Sequence, residues 1–166
     1  MKQDKFRNRI LPLGDKLFRL ALRITGNRQD AEDVVQDMLL NIWKKKGEWD
    51  SIANLEAYCF RSTRNLALDK MSSQQHQQGT FDENQDIPEI GSNIQEQLEQ
   101  EEQLALLENY VNRLSEKQRT IFQLREVEGL SYKQIAGIMT ISEEQVKVNL
   151  FRLRQKLKEF FEIKSV

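Results

Sequence analysis

Two groups of side chains have the types and spacing needed to bind nucleic acid. The first is a mainly basic stripe that recurs every three to four residues, and therefore lies along one face of a helix: Lys147, Phe151, Arg154 and Lys158. A helix with such a face can enter the major groove of DNA. The second group interleaves aromatic rings with arginine and asparagine: Tyr58, Phe60, Arg61, Arg64 and Asn65. Rings on which bases stack, beside cations that neutralise phosphates, are typical of single-strand binding.

The basic stripe belongs to the second of two helices that are joined by a tight turn within residues 131–160. Each helix begins at a serine followed three residues later by a glutamine, which is the capping-box pattern: Ser131 with Gln134, and Ser142 with Gln145. In the second helix, apolar residues recur about 100° from the basic stripe: Val146, Leu150, Leu153 and Leu157. The sequence thus predicts a helix-turn-helix with a free basic face, although the solvated face of an ordinary helical bundle has the same pattern.

The composition argues against enzyme chemistry and against membrane insertion. Among 166 residues, Cys59 is the one cysteine and His76 the one histidine, which excludes an internal disulfide and a cysteine-based zinc site. Nucleophilic and metal catalysis therefore lack their side chains, and we expect no enzyme activity, cofactor or metal site. Because the N-terminus is polar and no stretch of about 18 apolar residues occurs, we expect no transmembrane span, no signal peptide and a cytoplasmic location.

Charge is distributed unevenly along the chain. The formal net charge is −1, which is unusual for a DNA-binding protein. Residues 1–76 carry 14 Lys and Arg against 10 Asp and Glu, residues 77–107 carry none against 8, and residues 108–166 carry 11 against 8. Two mildly basic blocks thus flank an acidic one. Because counterion release depends on local phosphate contacts, this pattern allows nucleic-acid binding but argues against tight non-specific binding by the chain alone.

The acidic block also marks a domain boundary. Residues 71–91 are rich in Gln, Ser, Asp and Asn and contain too few apolar residues for a core. Helical periodicity resumes near Asn93, with Leu104, Leu107, Val111 and Leu114 on one side, and Ser115 with Gln118 forms a third capping box. We therefore divide the chain into an N-terminal domain (1–76), an acidic flexible linker (77–103) and a C-terminal domain (104–166).

The N-terminal domain also has helical periodicity, so the predicted fold class is all-α, with two small helical domains joined by the linker. Pro12 suits the first turn of one helix, which ends at Gly26, and a second helix begins near Asp30. Asn54 can cap a third. We expect Trp43 to lie in the core, whereas Trp49 in the intervening loop is a candidate platform for base stacking.

A resemblance to a known family rests on three segments: DAEDVVQDMLLNIW, AYCFRSTRNLALD and LREVEGLSYKQIAGIMTISEEQVKVNLFRLRQKL. Their order and spacing resemble the extracytoplasmic-function group of bacterial sigma factors over nearly the whole chain. The resemblance implies an N-terminal domain that binds core RNA polymerase and melts the promoter −10 element, and a C-terminal domain that reads the −35 element. It implies three partners: core RNA polymerase, through its β′ clamp helices and β flap, promoter DNA, and a cognate anti-sigma factor.

The resemblance, together with the patterns above, assigns roles to three sets of residues. Polymerase binding falls to one face of the second helix: Asp30, Asp33, Gln36 and Asp37. Contact with the −10 strand, including capture of a flipped base, falls to residues in and after the loop 47–53: Trp49, Asn54, Tyr58, Arg61, Arg64 and Asn65. Contact with the −35 element falls to the last set: Arg125, Tyr132, Glu144, Lys147, Val148, Phe151, Arg152 and Arg154.

Some alternatives stay open at this point. The acidic residues near Asp30 also suit the dipole of a helix start, which would be a structural role. Asn149 stands where the family often has arginine, so one phosphate contact is expected to be missing. The chain could also be a stand-alone helix-turn-helix regulator that binds duplex DNA without polymerase, or a helical adaptor that does not bind DNA. The −35 sequence itself does not follow from these residues.

Overall fold

The structure, a computed structural model, describes residues 1–78 and 96–164, and the regular secondary structure in these two ranges is entirely helical. The predicted all-α fold class is therefore confirmed. The N-terminal domain contains four α-helices: α1 (Lys2–Lys5), α2 (Gly14–Thr25), α3 (Arg28–Lys44) and α4 (Leu55–Gln78). A π-helical turn (Phe6–Ile10) and a 3-10 turn (Leu11–Leu13) join α1 to α2, and a second 3-10 turn (Lys46–Ser51) follows α3.

The C-terminal domain contains a further four helices: α5 (Glu96–Asn112), α6 (Glu116–Phe122), α7 (Tyr132–Met139) and α8 (Glu143–Lys164). A π-helical turn (Gln123–Val127) extends α6. Helices α7 and α8 form the expected helix-turn-helix. Both predicted capping boxes are present, because each serine hydroxyl accepts from the glutamine backbone N–H and each glutamine side chain accepts from the serine backbone N–H.

The turn between α7 and α8 depends on Thr140, a residue to which the sequence patterns assigned no role. Thr140 adopts the left-handed conformation, with φ 58°, and Ile141 N–H donates to the Ala136 carbonyl (3.1 Å). A β-branched residue in this conformation is strained by about 1–3 kcal/mol. The surrounding helices must therefore fix the turn, since Thr140 itself does not favour it.

The core of the N-terminal domain lies between α2, α3 and α4, with Leu17, Leu20 and Met38 fully buried. One expectation is corrected here: Trp49 is only 1% exposed, and its indole Nε1 donates to the Ile42 carbonyl (2.8 Å). Its ring packs among other aromatic rings, stacked on Phe6 and edge-on to Trp43. Trp49 therefore presents no free face to a base, whereas Trp43 packs against the core as expected.

The core of the C-terminal domain contains the apolar stripe predicted for α8. Val146, Leu150, Leu153 and Leu157 are all buried, as are Ile135 and Met139 of α7. The expectation that Leu104 faces this core was wrong, because its side chain is 64% exposed. The third predicted capping box is present only in part: Ser115 caps α6, but the Gln118 side chain accepts a hydrogen bond from Lys156 (3.1 Å).

The ends of the expected linker are helical. Helix α4 continues to Gln78 and α5 begins at Glu96, so both extend into the range 77–103 that we expected to be flexible. Residues 79–95 and 165–166 lie outside the described residues. The two domains pack against each other, with α2 against α6 and α4 against α7.

Three further observations concern transmembrane helices, metal ligands and the single cysteine. In residues 1–78 and 96–164, no helix combines the length and the hydropathy of a transmembrane span. Over the same part of the chain, no group of three His, Cys, Asp or Glu side chains is arranged to hold a metal ion. The buried Cys59 thiol has its pKa raised to about 12, chiefly by desolvation, so it stays a neutral core residue.

Candidate nucleic-acid interface

The residues of α8 that the sequence predicted to face a DNA groove lie on its exposed side. While Leu150 and Leu153 anchor the helix in the core, the residues between them point to solvent. Phe151 is 65% exposed and Val148 is 44% exposed, so two apolar side chains lie at the surface beside the basic ones. We call the following set the basic face of α8: Glu144, Lys147, Val148, Phe151, Arg152 and Arg154.

Tyr132, the first residue of α7, organises the cations beside this face. The Arg125 guanidinium lies 4.5 Å from the centre of its ring, and the Lys147 ammonium lies 5.8 Å from it. Arg125 is fixed further by a hydrogen bond to the Leu130 carbonyl (2.8 Å). Cation–π contacts of this kind hold long side chains in place at partly exposed sites. Tyr132 and the neighbouring side chains, among them Phe151 and Lys158, line a groove of about 420 Å³.

Arg154 is held by an acidic residue that the sequence reading missed. Its Nε and Nη2 both donate to the Glu126 carboxylate, at 2.9 and 2.6 Å. The pKa of Arg154 is raised, chiefly by this hydrogen bond and to a smaller extent by Tyr132. Arg154 is therefore held in place by Glu126 although its side chain is 50% exposed, and Lys147 and Arg152 are exposed as well. No signal in the sequence points to Glu126, because it lies 28 residues from Arg154, in the turn after α6.

The N-terminal domain has a second groove, of about 440 Å³, between the end of α3 and the middle of α4. Two predicted −10 residues line it, Tyr58 and Asn65. The Tyr58 hydroxyl accepts from Lys45 (3.0 Å). Several residues in the groove were missed by the sequence reading, namely Asn41, Lys44, Lys45 and Ser62. Amides, a phenol ring and two ammonium groups together suit a nucleotide, because they can meet base edges, a base face and phosphate.

The remaining predicted −10 residues have different surroundings. Asn54 caps α4, since its side-chain oxygen accepts from the Ala57 N–H (3.0 Å). Arg61 and Arg64 point toward the C-terminal domain, where Arg61 donates to the Gly137 carbonyl (2.6 Å) and Arg64 to Glu116 (3.1 Å). Trp49 is buried, as described above. The structure thus brings Tyr58 and Asn65 together and separates them from the two arginines.

The four residues predicted to bind polymerase lie along α3. Gln36 and Asp37 are exposed, and Leu40, one turn further on, is 57% exposed. Asp30 accepts from Gln74 (2.8 Å) and Asp33 from Lys70 (3.2 Å), both on α4. The acidic face of α3 is therefore partly engaged with α4. Helix α3 is capped by Asn27, whose side chain accepts from the Asp30 N–H (3.0 Å), so these carboxylates also lie at a helix start.

The chain matches two protein-family models, one in each domain. Residues 10–77 match the family described as Sigma-70 region 2, and residues 104–157 match the family described as Sigma-70, region 4. The groove beside α4 lies in the first range, and the basic face of α8 lies in the second.

Characterised relatives extend the similarity along the chain. The ECF RNA polymerase sigma factor SigL of Mycobacterium tuberculosis is 31% identical over 141 residues, which cover 81% of this chain and 76% of SigL. The ECF RNA polymerase sigma factor SigE of Mycolicibacterium smegmatis is 28% identical over 148 residues, which cover 88% of this chain but only 57% of SigE. The chain thus spans little more than half the length of SigE.

A solved structure has the same arrangement of helices. The sigma factor RpoE of Bartonella quintana, in complex with the anti-sigma factor NepR, aligns with a TM-score of 0.73 and 25% identity. The alignment covers 96% of this chain and 98% of RpoE.

Proposed function

Because the chain belongs to the extracytoplasmic-function (ECF) family of RNA polymerase sigma factors, we propose that its two domains divide promoter recognition between them. It is an alternative sigma factor that directs the initiation of transcription. Sigma factors are not enzymes, and this chain would supply promoter specificity to a catalytic core. The observation that carries the proposal is that each domain has its own groove lined by basic, aromatic or amide side chains suited to nucleic acid, one beside α8 and one between α3 and α4.

The basic face of α8 would read the −35 element in the major groove. Lys147 and Phe151 are exposed at the N-terminal half of α8, and Lys147 can donate to base acceptors while Phe151 can contact a thymine methyl group. Arg125 would contact phosphate, since its guanidinium is already fixed beside Tyr132. Held by Glu126, Arg154 would act chiefly by positioning its neighbours.

The groove between α3 and α4 would receive a base of the −10 strand. A base extruded from the stack costs a few kcal/mol, which contacts in a pocket must offset. Asn65 and Asn41 provide donors and acceptors for base edges, Tyr58 provides a ring, and Lys44 with Lys45 provides charge for the adjacent phosphates. Outside this groove, Arg61 and Arg64 would contact the backbone of that strand.

Two protein partners complete the proposal. Core RNA polymerase would bind the exposed part of α3, where Gln36, Asp37 and Leu40 offer both polar and apolar contacts. A cognate anti-sigma factor would mask the chain, a partner supported by the RpoE–NepR complex. We place this function in the cytoplasm, where the polymerase works, and without a catalytic activity of the chain itself.

The direct test is transcription with purified core polymerase and a library of promoter fragments. We expect start sites that are absent with core polymerase alone. A chain that gives no dependent transcript, but binds duplex DNA specifically by itself, would instead be a stand-alone regulator. Replacing Lys147 and Arg152 with alanine should abolish the dependent transcripts, whereas a helical adaptor would not be affected.

A further inference from the structure

In the contact between the two domains, the basic side chains belong to the N-terminal domain and the acidic ones to the C-terminal domain. Seven side-chain hydrogen bonds join the domains within the described ranges, and in each of these seven the donor is an arginine of the N-terminal domain. We call these four residues the arginine face: Arg19, Arg23, Arg61 and Arg64. The acceptors belong to the C-terminal domain, and we call its carboxylates the acidic face: Glu108, Glu116 and Glu128. The same domain keeps its own basic face, on α8, exposed.

In two of these pairs, one partner is largely shielded from solvent. Arg19 donates through Nε and Nη2 to both carboxylate oxygens of Glu128, at 2.6 and 2.8 Å, and the Glu128 side chain is only 2% exposed. Arg23 is 10% exposed and donates both to Glu108 and to the Gln123 side chain (2.9 Å). Their partners are more open, since Arg19 is 44% exposed and Glu108 is 54% exposed. Bidentate hydrogen bonds between charged groups are nevertheless stronger than neutral ones, so these contacts contribute to the packing of the two domains.

The other two arginines are incompletely satisfied. Arg61 and Arg64 each donate through Nη2, but the Nε atom of each is buried without a hydrogen-bond partner in the described residues. A buried donor without a partner is costly. A phosphate group could accept from both Nε and Nη2 of one guanidinium, which is a better match than the single acceptor that each arginine has here.

We propose that the acidic face is a docking surface for the arginine face of the same chain, and that it competes with promoter phosphates for Arg61 and Arg64. The inference rests on the proposed function, which places these two arginines at the −10 strand. In the closed chain the −35 surface is available while the −10 arginines are occupied by the C-terminal domain. Opening the interface releases the arginines, and promoter DNA then takes the place of Glu116 and the Gly137 carbonyl.

The first test measures the domain contact without DNA or polymerase. Donor and acceptor dyes on Asp69→Cys and Glu159→Cys report the separation of the domains, and the buried Cys59, whose thiol pKa is about 12, stays unlabelled near neutral pH. The double substitution Glu116→Gln and Glu128→Gln should raise the open fraction about tenfold. A matched control makes the same change of charge on the exposed side of α5, with Glu99→Gln and Glu101→Gln.

The second test measures the competition directly. The probe is a labelled oligothymidylate of about 12 nucleotides, bound to the full chain without polymerase and followed by fluorescence anisotropy. The acidic-face variant should bind it about tenfold more tightly than the wild-type chain. Adding Arg61→Gln and Arg64→Gln to that variant should remove the gain.

The outcomes separate the inference from the proposed function. If the acidic-face variant has the same energy transfer as the wild type, the docking surface is refuted. If it opens but binds the oligonucleotide no better than the charge control, the competition is refuted. A wild-type chain that supports no transcript with core polymerase would refute the proposed function, and neither of these two assays depends on that result.

Discussion

Tyr132 offers the sharpest test of how the −35 surface is built. Its ring lies 4.5 Å from the Arg125 guanidinium and 5.8 Å from the Lys147 ammonium. Exposed cation–π contacts contribute about 0.5–1 kcal/mol each, so removing both should cost about 1–2 kcal/mol of promoter binding, or roughly 5- to 30-fold in Kd. Tyr132→Leu removes the ring, whereas Tyr132→Phe keeps the ring and loses only the hydroxyl.

The assay is binding of the reconstituted holoenzyme to a labelled promoter over a range of salt concentrations. We expect Tyr132→Leu to weaken binding within the range given above, and Tyr132→Phe to weaken it less than about threefold. The slope of log K against log salt should change little, because the phosphate contacts are loosened but not deleted. Lys133→Ala, at the exposed neighbouring position, is the matched control. Tyr132→Leu binding within twofold of wild type would refute the positioning role.

Three further predictions concern other parts of the chain. Asp33→Asn with Gln36→Ala should weaken binding to core polymerase in a pull-down titration, and unchanged affinity would remove α3 from that interface. Trp49→Ala should lower the free energy of unfolding by about 3–5 kcal/mol in a urea titration, since a buried indole is lost; a loss below about 1 kcal/mol would contradict its place in the core. Thr140→Gly should raise that free energy by about 1 kcal/mol by relieving the left-handed strain, and a lower midpoint would show that the threonine side chain is needed.

The local structure could be predicted from the sequence because its signals are local. Ser131 and Gln134 fix the start of α7 through hydrogen bonds that span three residues. The apolar stripe from Val146 to Leu157 fixes which side of α8 is buried, and hence which side carries Lys147. Periodicity shows which residues share one face of a helix, but not whether each of them packs against another element. The burial of Leu104 was therefore predicted wrongly.

The contacts between distant segments could not be predicted from one sequence. Arg19 and Glu128 are 109 residues apart, and Arg61 meets a backbone carbonyl 76 residues away, which has no side-chain signature at all. The burial of Trp49 could not be predicted for a related reason. It depends on a 3-10 turn that places the ring against Phe6, near the start of the chain. Loop composition alone does not distinguish a buried tryptophan from an exposed one.

The division of promoter recognition between the two domains can be tested with one measurement. Core polymerase is combined with the wild-type chain, Lys147→Ala or Asn65→Ala, and transcripts from a library randomised at both promoter elements are sequenced. We expect Lys147→Ala to change the preferred bases only in the −35 element and Asn65→Ala only in the −10 element, because the two residues lie in separate grooves. A uniform loss across all sequences, or a change in the opposite element, would contradict the assignment of the two surfaces.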